Sequence, residues 1–237
     1  LRTSEISDYA EAVNGLQVEN SGSVTRLAVA VDACQAVIDR AVDIGADLLL
    51  VHHGLFWRGL EPLSGRHGRR IRKLVRSDIA VYSSHLPLDV HPEVGNNVVL
   101  ARMLGLEPTE PFAEAHGQHI GLSGYLSLSL HDFTALVTSC LGVEPMVIAG
   151  GPQRVTRVGV VAGAGGSFIE QARDIGLDTY LTGEGSHHTY FDAEEWGLNL
   201  IYAGHYATET VGVKALAGHI EEVFGLPWDF IEHPTGM

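Results

Sequence analysis

Short apolar runs alternate with helical patterns along most of the chain. Residues 27–31 and 79–82 are apolar runs of strand length, and Asp47 opens a further predicted strand that continues through an apolar run to Val51. Between the run 27–31 and Asp47, apolar residues recur at helical spacing until Gly45, which ends that helix. A further helix is predicted from about residue 92 to residue 104. Strand, helix and strand in this order predict an α/β fold built from parallel β-α-β units with right-handed crossovers.

The second half of the chain repeats the pattern. Residues 26–54 align with residues 157–185 at a constant offset of 131, without gaps, and share 11 identities in 29 positions. The segments YSSHLPLD (82–89) and YAGHYATE (202–209) also match, because each has a Tyr at a strand end, a His three residues later and a carboxylate after four more. We interpret this similarity as an internal duplication that gives two similar α/β lobes with the functional site between them.

The repeat also predicts how the chain is organised within a single domain of residues 1–237. Lobe 1 would cover about 1–104 and lobe 2 about 155–237. The bridging segment of about 105–154 contains an alternating apolar run from Ile120 to Leu130, which is typical of an antiparallel strand.

Histidines and carboxylates follow the predicted strands. His52 and His53 come directly after LLLV, and His85 and His205 also lie just past strand ends. Parallel α/β sheets bind ligands outside the carboxyl ends of their strands, so these side chains would share an edge. Asp89 and Glu209 each lie four residues past a His, and Glu209 would open an amphipathic helix. The predicted metal ligands are His52, His53, Asp89, His205 and Glu209. His85 would either bind metal directly or orient Asp89.

Imidazole and carboxylate ligands without a thiolate favour zinc, manganese, iron or cobalt over calcium. Five ligands exceed what one catalytic ion needs and leave open positions on two, so we predict two divalent transition-metal ions. Such pairs, roughly 3.5–4 Å apart, activate water and favour a small anionic substrate. The adjacent histidines alone would more often cap a loop, but two equivalent H-x-x-x-D/E motifs favour a metal site. On the loop of the second repeat, Glu184, His187 and His188 are candidates for acid/base groups or substrate contacts, or for a simple surface cluster.

Charge and composition exclude several classes of protein. The formal net charge of −14 disfavours nonspecific binding to nucleic acids or anionic membranes. Seven of the fifteen basic residues lie in the segment 58–76, where an apolar stripe favours a solvated helix face over an anion-binding or subunit-contact surface. Cys34 and Cys140 form no CxxC pair, which suits a reducing compartment. No apolar run approaches the ~20 residues of a membrane span, and the N-terminal segment lacks the pattern of a secretory signal. We therefore expect a soluble cytoplasmic protein.

The motifs occur together in a known family. The chain resembles the NIF-three-like (NGG-one-interacting-factor) dinuclear metal-centre proteins, many of which carry the name GTP cyclohydrolase I type 2 homologue. The resemblance covers essentially the whole chain and is most similar to the short bacterial branch, which lacks a mid-chain insertion. It rests on NGLQV (14–18), GADLLLVHHGLFWRG (45–59), HLPLDVHPEVGNN (85–97), GGSFIEQARDIGLDTYLTGE (165–184) and AGHYATE (203–209).

This resemblance implies two α/β lobes with metals between them and a toroidal homohexamer whose metal sites face an internal cavity. The family's ligand pattern maps onto the five residues predicted above. One departure is Gly54, which follows the two histidines where many members have Pro, and which should loosen that loop without removing a ligand.

Two functions of different classes fit these features. The first is a metal-dependent hydrolase of a nucleotide-like or phosphorylated anion, which by resemblance would be GTP cyclohydrolase-like and could equally be a phosphoesterase. Neither a GxGxxG nor a Walker-type phosphate loop is present in the sequence. The second is a non-catalytic hexameric ring that stores or delivers metal or acts as a scaffold, with a DNA-associated role disfavoured by the acidic charge. The open metal positions favour the enzyme.

Overall fold

The computed structural model describes residues 1–57, 59, 61–107 and 109–237. In chain order, the strands are β1 (Gly15–Val18), β2 (Leu27–Asp32), β3 (Leu48–His53), β4 (Ala80–Ser83), β5 (Glu110–Ala115), β6 (Gln118–Ser129), β7 (Met146–Ala149), β8 (Arg154–Val161), β9 (Thr179–Thr182), β10 (Asn199–Tyr202) and β11 (Trp228–Phe230). The helices are α1 (Gln35–Asp43), α2 (Gly65–Arg76), α3 (Leu86–Asp89), α4 (Asn96–Met103), α5 (Leu130–Leu141), α6 (Ile169–Asp174), α7 (Thr189–Trp196) and α8 (His205–Phe224). A 3₁₀ turn, Gly165–Phe168, leads into α6.

The chain forms two compact units. Unit 1 comprises Leu1–Gly95 and Gly212–His233, and unit 2 comprises Asn96–Val211 and Pro234–Met237. Each unit contains one sheet with helices, so the protein has the predicted α/β fold class. Among the described residues, none of the helices combines the length and the apolar character that a membrane span needs.

Unit 1 is built on a five-stranded sheet in the order β1-β4-β3-β2-β11. The strands β2, β3 and β4 are parallel, which confirms the predicted β-α-β connections, and β1 pairs antiparallel with β4. Residues Leu27–Val31 are fully buried, as expected for a strand covered on both faces. Helix α1 packs Val37, Ile38 and Ala41 into the core of this unit, and the left-handed φ of 69° at Gly45 lets the chain leave the helix.

Unit 2 is built on a six-stranded sheet in the order β5-β6-β8-β9-β10-β7. Its centre, β8-β9-β10, is parallel, whereas β5, β6 and β7 join it antiparallel. The apolar run of the predicted bridging segment therefore lies in β6, as an antiparallel strand of this sheet. The order β8-α6-β9 has the same parallel pairing as β2-α1-β3. This recurrence is consistent with an internal duplication, which stays an interpretation.

The unit boundaries differ from the predicted lobes because strand pairing, rather than the sequence repeat, decides which segments pack together. Helix α4 and the segment of about 105–154 belong to unit 2, since β6 pairs directly with β8. The chain returns to unit 1 at Gly212, since β11 pairs with β2. Two smaller expectations also change: α4 begins at Asn96 rather than at about 92, and α8 begins at His205, not at Glu209. Glu209 is therefore in the second turn, where the helix dipole contributes little.

Helix α2 confirms the helical prediction for most of the basic segment 58–76. It packs Leu74 into the core of unit 1, while Arg66, Arg69 and Arg72 are largely solvent-facing. The segment thus forms an amphipathic surface helix. Its first member, Arg58, lies outside the described residues.

Candidate metal centre

The first donor of unit 1 is His52, at the carboxyl end of β3. Its side chain is fully buried, and Nδ1 lies 2.9 Å from the carbonyl oxygen of Ser84. A carbonyl can only accept, so Nδ1 carries the proton, and in the neutral imidazole Nε2 then holds the lone pair. This Nε2 is 3.5 Å from Oδ2 of Asp89, a buried carboxylate at the end of α3. His52 and Asp89 are therefore a nitrogen donor and an oxygen donor that face each other.

His53 is held in the same way by a neighbouring strand. Asp32 ends β2 and is paired in register with His53 on β3. Its Oδ1 lies 3.0 Å from Nδ1 of His53, whose side chain is only 20% exposed. The parallel register thus places a carboxylate behind the ring and orients Nε2 away from it.

His85, just before α3, is held by a carboxylate from the N-terminal segment. Oδ1 of Asp8 lies 2.8 Å from Nδ1 of His85. Asp8 also accepts from the side-chain amide of Asn14 at 2.7 Å and from the backbone N–H of Leu86 at 3.1 Å. Burial by itself raises the pKa of Asp8, but the hydrogen bond and charge of His85, with bonds from Asn14 and Tyr9, outweigh it and lower that pKa below 3.8. Asp8 is therefore a stable anion behind the imidazole.

These three rings converge within unit 1. Three ring nitrogens, one each from His52, His53 and His85, lie within 4.8 Å of one another. The His85 ring centroid is 5.0 Å from that of His52 and 4.8 Å from that of Trp57, which meets it edge-on at 86°. His85 is thus close enough to the other donors to bind an ion directly, while Asp8 fixes its orientation.

Unit 2 contributes a donor pair on the first two turns of α8. Nε2 of His205 lies 3.1 Å from Oε1 of Glu209, whose side chain is 4% exposed. Nδ1 of His205 lies 2.7 Å from Oε1 of Glu184, in the loop after β9. Burial lowers the pKa of His205, but hydrogen bonds and attraction from Glu209 and Glu184 outweigh it and raise the pKa to about 9. Metal-free His205 is therefore an imidazolium between two carboxylates.

Comparisons with known proteins identify the family. The family model of Duf34/NIF3 (NGG1p interacting factor 3) matches residues 4–235. The chain belongs to the DUF34/NIF3 family. A protein of Deinococcus radiodurans called GTP cyclohydrolase 1 type 2 homolog is 44% identical over 95% of this chain and 87% of its own length. One of the same name from Halobacterium salinarum is 45% identical over 98% of this chain and 94% of its own. A solved structure from Thermus thermophilus has a TM-score of 0.89 and 43% identity, and the alignment covers 97% of this chain and 92% of that one.

The donor chemistry of this DUF34/NIF3 protein fits a metal ion. Each of the four imidazoles has its Nδ1 engaged by a carboxylate or a carbonyl oxygen. Metal-binding histidines in proteins are held in this manner, because the outer hydrogen bond fixes the tautomer and makes the inner nitrogen more basic. The chain therefore has histidine and carboxylate groups that can hold a metal ion.

In this DUF34/NIF3 protein, the three candidate residues that follow β9 lie in different environments. They are Glu184, His187 and His188. Glu184 holds His205, as described above. His187 is exposed and packs edge-on against Phe191, with ring centroids 5.7 Å apart. The side chain of His188 is 72% exposed, and its Nε2 lies 4.0 Å from Asp192. Of the two histidines, His187 faces a pocket of unit 2 described below, whereas His188 is a surface residue with a weak ion pair.

Sequence reasoning missed the carboxylates behind the rings. Asp32 ends an apolar strand and could have been found by the rule that identified His52 and His53, since it lies at the same sheet edge. Asp8 could not be found in this way, because its segment is irregular and precedes the first strand by sequence. Glu184 was noticed, but its role in orienting His205 becomes visible only from the distance between them.

We expect the metal-free protein to lose stability through His205 as the pH rises from about 6.5 to about 9. The folded-state pKa of about 9 exceeds the ordinary value of 6.5. The folded state therefore binds more protons than the unfolded state in this window, so the imidazolium stabilises it fully below pH 6.5 and no longer does so above about 9. Urea unfolding of chelator-treated wild-type protein and of His205→Gln at several pH values measures the effect. If the free energy of unfolding changes equally with pH in both proteins, the prediction is wrong.

Proposed function

We propose that this protein is a metal-dependent hydrolase of a nucleotide-like or phosphorylated anion. In this proposal, the chain holds a centre of two divalent transition-metal ions. The ligands would be His52, His53, Asp89, His205 and Glu209, with His85 as a further ligand or an orienting group. The observation that carries the proposal is the engagement of Nδ1 in all four imidazoles, which orients a set of nitrogen and carboxylate donors as metal sites require.

The protein's own groups would prepare the site for hydrolysis. Two bound ions would supply Lewis acidity and an activated water. Asp32, Asp8 and Glu184 hold the rings and increase the basicity of the inner nitrogens. His187 is exposed and lines a pocket of unit 2, and in this proposal it would exchange a proton with substrate or solvent.

The substrate class is inferred from charge and from the relatives. The metal charges would exceed those of the two carboxylate ligands, so the centre would attract an anion. Relatives at 44–45% identity are called GTP cyclohydrolase 1 type 2 homolog, which directs the search toward purine nucleotides. Ring opening and phosphoester hydrolysis both use an activated water, so both reaction types belong in the test.

We expect two transition-metal ions per chain in metal-replete protein. Asp89→Ala and His205→Ala should each lower this number, because water replaces a charged or imidazole ligand poorly. Elemental analysis after removal of excess metal measures the content, and His131→Ala, at an exposed histidine of α5, serves as the control. A content of one ion or none, or full occupancy in both variants, would contradict the proposed centre.

The activity is tested by incubating metal-loaded protein with a panel of nucleoside triphosphates and phosphoesters. We expect hydrolysis that chelation abolishes and metal restores. A fall in kcat in His187→Ala with metal content unchanged would assign proton transfer to His187, whereas a change in KM alone would assign substrate contact. Inactivity across the panel would instead favour a non-catalytic ring that stores or delivers metal.

A further inference from the structure

Unit 2 contains a pocket of about 740 Å³, and the proposed function assigns no part of the substrate to it. It is bordered by β7, by the loop after β9, by α7, by the start of α8 and by the C-terminal residues. Its volume falls in the range of about 300–1,000 Å³ that is usual for small-molecule sites. The pocket is therefore large enough for a nucleoside-sized ligand.

Exposed apolar side chains concentrate at this pocket. Val143, Met146, Tyr190 and Phe191 all line it, and each is more than a third exposed. Phe191 has half of its surface accessible and lies 5.4 Å from the ring of Tyr190, nearly perpendicular to it. Exposed apolar surface on a concave wall is costly unless a ligand covers it, and aromatic faces bind flat rings by stacking.

The charges of the pocket disfavour an anionic occupant. Among its lining residues, all within the described part of the chain, the charged side chains are Glu144 and Glu184, and no Lys or Arg is present. A phosphate placed here would meet these two carboxylates, and no Lys or Arg lines the pocket to offset their charge. Carboxylates only accept hydrogen bonds, so they suit the N–H groups of an uncharged heterocycle.

The pocket also adjoins the proposed metal centre through one residue. Glu184 lines the pocket, and the same carboxylate holds Nδ1 of His205 at 2.7 Å. A ring in the pocket would therefore lie beside a residue that orients a metal ligand. The anionic part of the same molecule would be disfavoured in the pocket by charge and attracted by the metal ions.

We propose that this pocket binds the uncharged heteroaromatic ring of the substrate, such as a purine base. The inference rests on the proposed function in calling this ligand a substrate. Binding of the ring itself requires no metal. In this proposal, Phe191 and Tyr190 determine specificity by stacking on the ring. Glu144 and Glu184 accept hydrogen bonds from its N–H groups and disfavour a phosphate by their charge.

The binding is tested with 2-aminopurine riboside, an uncharged fluorescent nucleoside that is quenched on stacking. We expect saturable quenching that adenosine competes away and ribose 5-phosphate does not, in metal-free as well as metal-loaded protein. Phe191→Ala should weaken binding at least fivefold, the lower range for the loss of one stacking side chain. Val143→Trp should weaken it similarly by filling part of the pocket, and its exposed position makes misfolding a small risk.

Tyr125→Ala is the matched control, because Tyr125 is an aromatic of unit 2 with similar exposure, 46% against 44% for Tyr190, and does not line the pocket. The proposal is overturned by an absence of saturable quenching, or by equal weakening in Tyr125→Ala. It is also overturned if Phe191→Ala leaves nucleoside affinity unchanged but lowers the molar mass in light scattering, since the pocket would then face a second copy of the chain. Nucleoside binding without hydrolysis would refute the proposed function alone, and metal-dependent hydrolysis without nucleoside binding would refute the pocket alone.

Discussion

Replacement of Glu209 by Gln is expected to lower kcat of the metal-loaded protein by at least about 100-fold, the upper range for disturbing a group that only supports a ligand. The substitution keeps the shape of the side chain but removes its charge, and an amide is a poor ligand for these ions. Glu209 is buried beside His205, so no other arrangement of the side chain is readily available. Because an ion that is held loosely acidifies water less well, kcat should fall more than KM rises.

Two comparisons make the Glu209 experiment specific. Glu184→Gln keeps an oxygen that can accept from Nδ1 of His205, so we expect a smaller loss, of about 10- to 100-fold. Glu170→Gln, at an exposed position of α6, should leave activity unchanged. Steady-state kinetics of the three variants measure kcat and KM, and elemental analysis measures their metal content. Full activity of Glu209→Gln with full metal content would remove Glu209 from the ligand set.

The sequence predicted the parallel centre of each sheet well, because buried strands must be apolar and short connections leave few topologies. The strands from Leu27 and from Thr179 lie where the aligned repeats place strands. The boundaries between compact units were less predictable. Whether the hairpin of β5 and β6 joins a neighbouring sheet depends on pairing with β8, more than twenty residues away, for which local periodicity carries no signal.

The metal donors were predictable for a different reason. His52 and His205 lie at the ends of apolar strands, so the edge rule for parallel sheets identifies them without coordinates. The groups that orient them lie far away in the sequence. Asp8 is 77 positions from His85, and Glu184 is 21 positions from His205. The pocket also could not be predicted from the sequence, because Val143 and Phe191 share no periodicity and are brought together only by the fold.

Gly163→Ala is expected to reduce metal content without altering any donor group. Gly163 has a left-handed φ of 69°, and its backbone N–H donates to Oγ1 of Thr208 at 3.0 Å. An added Cβ would overlap Oε1 of Glu209, and this carboxylate would have to move although its side chain is only 4% exposed. Displacement by even part of an ångström spoils ligand geometry, because metal–ligand distances tolerate only about 0.2 Å.

Gly142→Ala separates this contact from backbone strain. Gly142, the C-cap of α5, has nearly the same φ, 71°, but a Cβ there would meet nothing within 4 Å. Gly142→Ala should cost about 1–2 kcal/mol of unfolding free energy, because an L-residue in the left-handed region is strained, and Gly163→Ala should cost at least as much. Only Gly163→Ala should also lose metal, and with it any metal-dependent hydrolysis. Chemical denaturation and elemental analysis of the two variants measure strain and occupancy independently. Equal metal content in both would show that Glu209 can leave its position without consequence, and would argue against its role as a ligand.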